Sequence, residues 1–301
     1  MAVISNSDLS TLRNTLNTIL NGTGVAGGYN QSHSVAANPS AGDQIDDAYQ
    51  DSLFSAAEKV TNYYNITNPL TAVNAGDVID DNQYYNHAST LNTSLSDRFN
   101  SPWDYSSGWD MTTANETSST VSDWNGSKDT VTRVTFSDVD TMNAWFSAGG
   151  EIRISMSHND TSNNQQGTSW EQLTAEMGTY RISLRDTDTT TVSDSIRKKY
   201  SDLTTSYVEI KKENADDGDY STNYASIEAY KDGANIYVKT ILNDAHVARS
   251  GSGSGYGGAW SWSGTDQVPG TSTVTVASLK LSNASGSVNI TNPSFTVTDN
   301  L

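Results

Sequence analysis

Apolar residues in the first hundred positions recur at helical spacing, and beyond them they mostly alternate with polar ones. Leu9, Leu12, Leu16, Ile19 and Leu20 fall on one face of a helix that starts near Ile4-Ser5-Asn6. Tyr49, Leu53, Ala56 and Val60 form a second such face, and Tyr84, Ala88, Leu91 and Leu95 a third. The second and third helices share a start signal. Ala41-Gly42-Asp43-Gln44-Ile45-Asp46-Asp47 and Ala75-Gly76-Asp77-Val78-Ile79-Asp80-Asp81 agree at six of seven positions, at an offset of 34. Asp is a good N-cap, and an isoleucine just before it can staple back onto the helix. The pattern predicts three helix units at a period of roughly 35 to 40 residues, near that of helical solenoids. The linkers Asn21-Gly22-Thr23-Gly24 and Gly27-Gly28-Tyr29 read instead as flexible connections. Residues 1–101 are therefore expected to be a helical repeat module. Its narrow apolar stripes need a partner surface, either the rest of the chain or another subunit.

Ser101-Pro102-Trp103 and the polar run 111–119 break this periodicity and place a boundary. Residues 102–301 change character. Positions 131–136 read as a strand, and Ser137-Asp138-Val139-Asp140 as a helix start with Val139, Met142, Trp145 and Phe146 as its apolar positions. Gly149-Gly150 supplies the left-handed stop, and Ile152, Ile154 and Met156 then alternate as a strand. A polar loop over 158–168 leads to a short helix marked by Trp170, Leu173 and Met177 and stopped by Gly178. Tyr180, Ile182 and Leu184 form another strand. Asp232-Gly233 is a hairpin signal between strands carrying Ile227 and Ile236. Val274 and Val276, then Leu279 and Leu281, suggest a strand with a bulge or bend between them. The expectation is an α+β chain: an N-terminal helical repeat module followed by a β-sandwich-like domain with inserted short helices.

Charge narrows the partners. The 301 residues hold 17 Lys plus Arg against 35 Asp plus Glu, a net −18. The short cationic runs Arg197-Lys198-Lys199 and Lys211-Lys212 read as solvated faces, so neither nucleic acid nor an anionic membrane is an expected partner. With no cysteine, disulfides and thiolate chemistry are excluded. No stretch approaches the roughly eighteen apolar residues of a membrane helix. Residues 1–8 lack the basic and apolar regions of a signal peptide. Catalytic signals are sparse. His33, His87, His158 and His246 show no metal-binding spacing, and His158-Asn159-Asp160 and Asn243-Asp244-Ala245-His246 read as loop residues rather than parts of a triad. The acidic stretch 213–219 departs from the helix-loop-helix calcium pattern at Ala215. No cofactor, metal ligand or catalytic residue is assigned, and the expectation is a protein without enzymatic activity. The candidate contact surface comprises Tyr63, Tyr64, Tyr84, Tyr85, Tyr256, Trp260 and Trp262. Each has an alternative reading as a packing residue, and the Gly-Ser tract before Trp260 reads as flexible.

An ordered set of segments adds a resemblance. It comprises 16–24 (LNTILNGTG), 28–31 (GYNQ), 41–45 (AGDQI), 75–79 (AGDVI), 97–100 (DRFN), 134–136 (VTF), 145–155 (WFSAGGEIRIS), 164–170 (NQQGTSW) and 177–179 (MGT). In this order they resemble a family of virion structural proteins of tailed bacteriophages, notably contractile-tailed cyanophages and other marine phages. The likeness covers about residues 1–240, and segment 250–264 departs from it. It implies a structural component of the virion, in the neck, tail, baseplate or fibre. The expectation is a protein synthesised in the host cytoplasm that acts among other virion proteins as a homo-oligomer, trimeric or hexameric. A receptor- or carbohydrate-binding module facing a host surface glycan is the alternative. A polysaccharide-degrading enzyme is the third reading.

Overall fold

The computed structural model describes residues 6–25, 27–37, 40, 47–63, 68, 70, 111–162, 164–184, 197–246, 250–255, 258–263, 267–281 and 288–299. The expected third helix and the expected domain boundary lie outside them. Helix α1 is Asn6–Asn21 and α2 is Asp47–Tyr63. Leu9, Leu12, Leu16, Ile19 and Leu20 are all buried, and they cluster with Leu53, Ala56, Ala57 and Val60 of α2. The glycine-rich segment after α1 is not a flexible connection. It doubles back, and the Tyr29 and Gln31 amides donate to the Ile19 and Leu20 carbonyls, both at 2.8 Å. Gly28 permits this approach, because an added Cβ would overlap the Thr18 carbonyl oxygen. The same helical cluster includes Ala148 and Val288 from the far side of the chain. Gln31 and Asn289 tie the two regions together: the Asn289 amide donates to Gln31 Oε1, and Gln31 Nε2 donates to the Asn289 carbonyl, both at 2.9 Å. The rest of the chain therefore supplies part of the surface the helices need.

The remainder holds two five-stranded sheets. Its strands are β1 (Met111–Trp124), β2 (Ser127–Thr135), β3 (Glu151–Asn159), β4 (Thr179–Ser183), β5 (Arg197–Lys199), β6 (Val208–Asn214), β7 (Tyr224–Asp232), β8 (Asn235–Asn243), β9 (Ser250–Gly255), β10 (Gly258–Ser263), β11 (Val268–Leu281) and β12 (Ser294–Asp299). The first sheet runs β1-β11-β3-β4-β5 and the second β12-β2-β8-β7-β6, while among the described residues β9 and β10 pair only with each other. All pairs are antiparallel except β4 with β5. Helices α3 (Val139–Ser147) and α4 (Gln165–Met177) are inserted between strands, and α4 touches β3 and β11 of one sheet and β6 and β7 of the other. Buried residues of both sheets and both helices form one hydrophobic cluster. The chain is thus α+β.

Local chemistry explains the inserted helices. Asp138 caps α3 by accepting from the Thr141 amide at 2.6 Å, and Asn164 caps α4 by accepting from the Gly167 amide at 2.7 Å. The stop after α3 is a Schellman motif: the Gly150 amide donates to the Trp145 carbonyl and the Gly149 amide to the Phe146 carbonyl, with Gly149 at φ 85°. Val139, expected on the apolar face, is 46% exposed, because it lies in the first turn away from the core.

Three expectations change. The polar run 111–119 is not a break but half of strand β1, whose inward positions Thr117 and Ser119 are small hydroxyl residues rather than apolar ones. The Gly-Ser tract is not a flexible linker but strand β9. The bulge expected within 274–281 lies on the partner: β11 pairs with β3 without interruption, while the register with β1 shifts between Thr113 and Asn115. The apolar phase changes along β11 because both faces are buried over Ala277, Ser278 and Leu279.

Gly150→Ala is expected to destabilise the fold by about 1–3 kcal/mol, the usual cost of overpacking. The new Cβ would overlap the wholly buried Trp145 ring. Urea denaturation of the variant beside the parent chain measures the difference.

Candidate functional site

A serine–histidine contact that no motif foresees lies at the end of β3. His158 Nδ1 is 2.9 Å from Ser272 Oγ on β11, and His158 Nε2 is 3.0 Å from the Pro269 carbonyl. That carbonyl can only accept, so the proton sits on Nε2 and Nδ1 accepts the Ser272 hydroxyl. Ser272 Oγ accepts in turn from Trp124 Nε1 at 3.1 Å. Ser272 is wholly buried. A nucleophile must meet its substrate, and this hydroxyl meets Trp124 and His158 only as a closed link between three strands. His158 is therefore a buried strand residue, not a loop residue. Burial pushes its pKa below the ordinary 6.5, against the opposing pull of the Pro269 carbonyl, Asp160 and Glu171.

A second polar group gathers at the start of α4. Gln165 Nε2 donates to both carboxylate oxygens of Asp217, at 3.1 and 2.9 Å, and Gln166 Nε2 donates to Asp244 Oδ2 at 3.1 Å. Asn223 Oδ1 accepts from the Ala245 and His246 amides, and the Tyr220 ring lies 4.8 Å from the His246 ring. The fold thus brings together the acidic stretch 213–219 and the segment 243–246, to fasten a helix start. Within that stretch Glu213 pairs with Lys211 instead. Among the described residues no three His, Asp or Glu side chains are placed to hold a metal ion.

The cationic runs divide. Arg197 is not on a solvated face: it is 9% exposed, and its Nη1 lies 3.5 Å from Glu151 Oε2. Arg153 pairs with the other oxygen of Glu151. Strand register sets Arg153 beside Arg181 and Arg181 beside Arg197. Lys212 lies on the outer face, its Nζ 4.0 Å from the Tyr224 ring centroid.

Of the expected contact residues, Tyr64, Tyr84, Tyr85 and Tyr256 lie outside the described residues. Tyr63 ends α2. Trp260 and Trp262 are on β10, where register sets them opposite Gly253 and Gly251. Gly258 stands opposite Gly255, so one face of the β9–β10 hairpin is glycine at every position except the two tryptophans. A two-stranded hairpin is marginal alone in water, which suits an element completed by contact.

The sequence reading missed an aromatic row on the outer face of the second sheet. Tyr230 and Tyr237 are cross-strand partners with rings 4.3 Å apart and 1° from parallel. The Tyr207 ring meets Tyr230 edge-on at 4.6 Å and 78°. The available signal was Tyr230 and Tyr237, each three residues from the observed Gly233-Ala234 turn.

No protein-family model, curated protein or solved structure matches this chain. Among the described residues, no helix is long and apolar enough to cross a membrane.

Ser272→Ala should cost about 1–3 kcal/mol, because it strips partners from the Trp124 and His158 ring nitrogens; calorimetry checks this. The lowered His158 pKa also sets a pH dependence. Above about pH 6.5 both folded and unfolded His158 are neutral. Below it the unfolded chain takes up a proton that the folded chain resists, so stability falls. His33, whose pKa is lowered by burial and by Lys59, adds in the same direction. The thermal midpoint is expected to drop between pH 7.5 and 5.5, and His158→Gln to flatten that drop.

Proposed function

We propose that this chain is a non-enzymatic structural component of a tailed-phage virion, in the neck, tail, baseplate or fibre, assembled as a homo-oligomer among other virion proteins. In this reading the helical repeat module docks part of the chain and the strand-rich part presents contact surfaces. The observation that carries the non-enzymatic part is the burial of Ser272. The serine whose hydroxyl a histidine accepts is closed off from any substrate and spent on cross-linking. The ordered segments described above support the virion part. Two of them have structural duties in this chain. Segment 145–155 is the Schellman stop and the strand it releases, and segment 164–170 is the cap and first turn of the helix touching both sheets. Residues Trp260 and Trp262, with Tyr63, Tyr64, Tyr84, Tyr85 and Tyr256, are the proposed contact surface.

Host attachment through a surface glycan is the second reading, and the aromatic row on the second sheet favours it.

Mass spectrometry of purified particles of the phage encoding this chain is expected to find it in stoichiometric amount, and imaging with the chain labelled to place it on the tail apparatus. Infectious particles without the chain would overturn the reading. So would multiple-turnover release of reducing ends from host envelope polysaccharide by the purified protein.

A further inference from the structure

The outer face of the second sheet carries one continuous row, from Tyr207 just before β6 across β7, β8 and β2 to β12. Register pairs Tyr230 with Tyr237, Tyr237 with Arg133, and Arg133 with Thr296. The pairing of Val208 with Ala229 sets Tyr207 next to Tyr230 at the other end. At a strand spacing near 4.8 Å the row spans roughly 19 Å. Tyr207 is 41% exposed, one of the few large hydrophobic side chains so open among the described residues. Arg133 Nη2 donates to Thr296 Oγ1 at 3.5 Å, which directs the guanidinium along the row. The next row holds Glu228 paired with Lys239, and Lys239 Nζ lies 3.5 Å from Asp129 Oδ2.

We propose that this row is a binding site for a neutral glycan. Tyr207 offers its ring to the apolar C–H face of a sugar, and Arg133, Glu228, Lys239 and the tyrosyl hydroxyls bond to sugar hydroxyls. The proposal deepens the host-attachment reading and rests on it. Three observations favour this occupant. Tyrosine pairs an apolar body with a polar tip and costs little side-chain entropy on binding. Here the stacked Tyr230–Tyr237 pair already fixes the row before a ligand arrives, so less freedom is lost. The charges on the face are mixed in sign, with Arg133, Lys239 and Lys212 against Asp129, Glu228 and Glu209. A protein partner would have to desolvate those charges at the centre of its interface, where charged residues are depleted. A hydroxyl-rich ligand can hydrogen-bond to them directly. The net charge of −18 opposes acidic polysaccharides and nucleic acid alike. The carboxylates lie close enough to be felt: burial, then Tyr230, Glu228, Tyr237 and Asp129, hold the Tyr207 hydroxyl above its ordinary pKa.

Affinity electrophoresis of the purified full chain tests this, with dextran, laminarin, galactomannan and hydroxyethyl cellulose as neutral probes and alginate and hyaluronan as acidic ones. At least one neutral probe is expected to retard the chain, and neither acidic one. Tyr207→Ala should weaken that binding by about tenfold or more, the loss expected at a binding hot spot. Tyr207→Phe, which keeps the ring, should stay within about threefold of the parent. Equal thermal midpoints would exclude unfolding as the cause. No retardation by any neutral probe, unchanged binding by Tyr207→Ala, stronger retardation by an acidic probe, or a dimer that Tyr207→Ala dissociates would each overturn the site. If binding fails while the chain is still found in particles, this site is lost and the structural reading stands.

Discussion

The burial of Trp124 is the constraint on which the two-sheet arrangement turns. Trp124 closes β1, and after the short Asn125-Gly126 turn the chain enters β2 in the other sheet. Its ring meets Trp170 of α4 edge-on at 4.8 Å, and its Nε1 donates to Ser272 on β11, which His158 on β3 also holds. Three strands of one sheet and the helix bridging to the other are thereby fixed at the point of crossing. A side chain of this size contributes several kcal/mol when fully buried.

What turns Trp124 inward is a break in the alternation at Asp123, where two steps of β1 stand opposite three of β11. Along β1 the inward positions are odd-numbered, with Thr117, Ser119 and Val121. Uninterrupted alternation would put Trp124 outside, beside Ser118 and Ser122. The register slips between Ser122 and Trp124, and Asp123 takes the left-handed conformation at φ 48°. Bulges re-aim side chains in this way, and Asp is among the few residues that tolerate the conformation. Asp123 Oδ1 also accepts from the Gly270 amide at 3.1 Å. Three pairs of buried polar side chains follow one pattern. Ser272 with His158, Gln166 with Asp244, and Glu151 with Arg197 each join elements far apart in sequence. Such links are costly to desolvate and define which arrangement is adopted more than they add net stability.

Elements whose own residues carry the signal could be read from the chain. Helix α3 with its double-glycine stop, α4 with Gly178, and the β7–β8 hairpin all appear where spacing predicted them. β1 could not be read that way, because an edge strand facing a core through Thr117 and Ser119 shows no hydrophobic alternation. Nor could β9, since glycine and serine are depleted in strands and only pairing with β10 reveals it. Arg197 looked like a surface cation because its partner Glu151 lies 46 positions away, brought close by the sheet. The aromatic row has the same cause: Tyr207, Tyr230, Tyr237 and Arg133 become neighbours only through strand order.

The clasp between Gln31 and Asn289 spans 258 positions. A ribosome makes the helical segment well before Val288 and Asn289, which close its seat. β1 waits similarly for β11. Contacts of such separation slow a chain's acquisition of its native form, and during that wait the leucines of α1 have no finished surface to occupy. A chain stopped short of residue 288 would keep a sticky amphipathic helix pair permanently in that condition, inviting association with other unfinished copies or capture by chaperones.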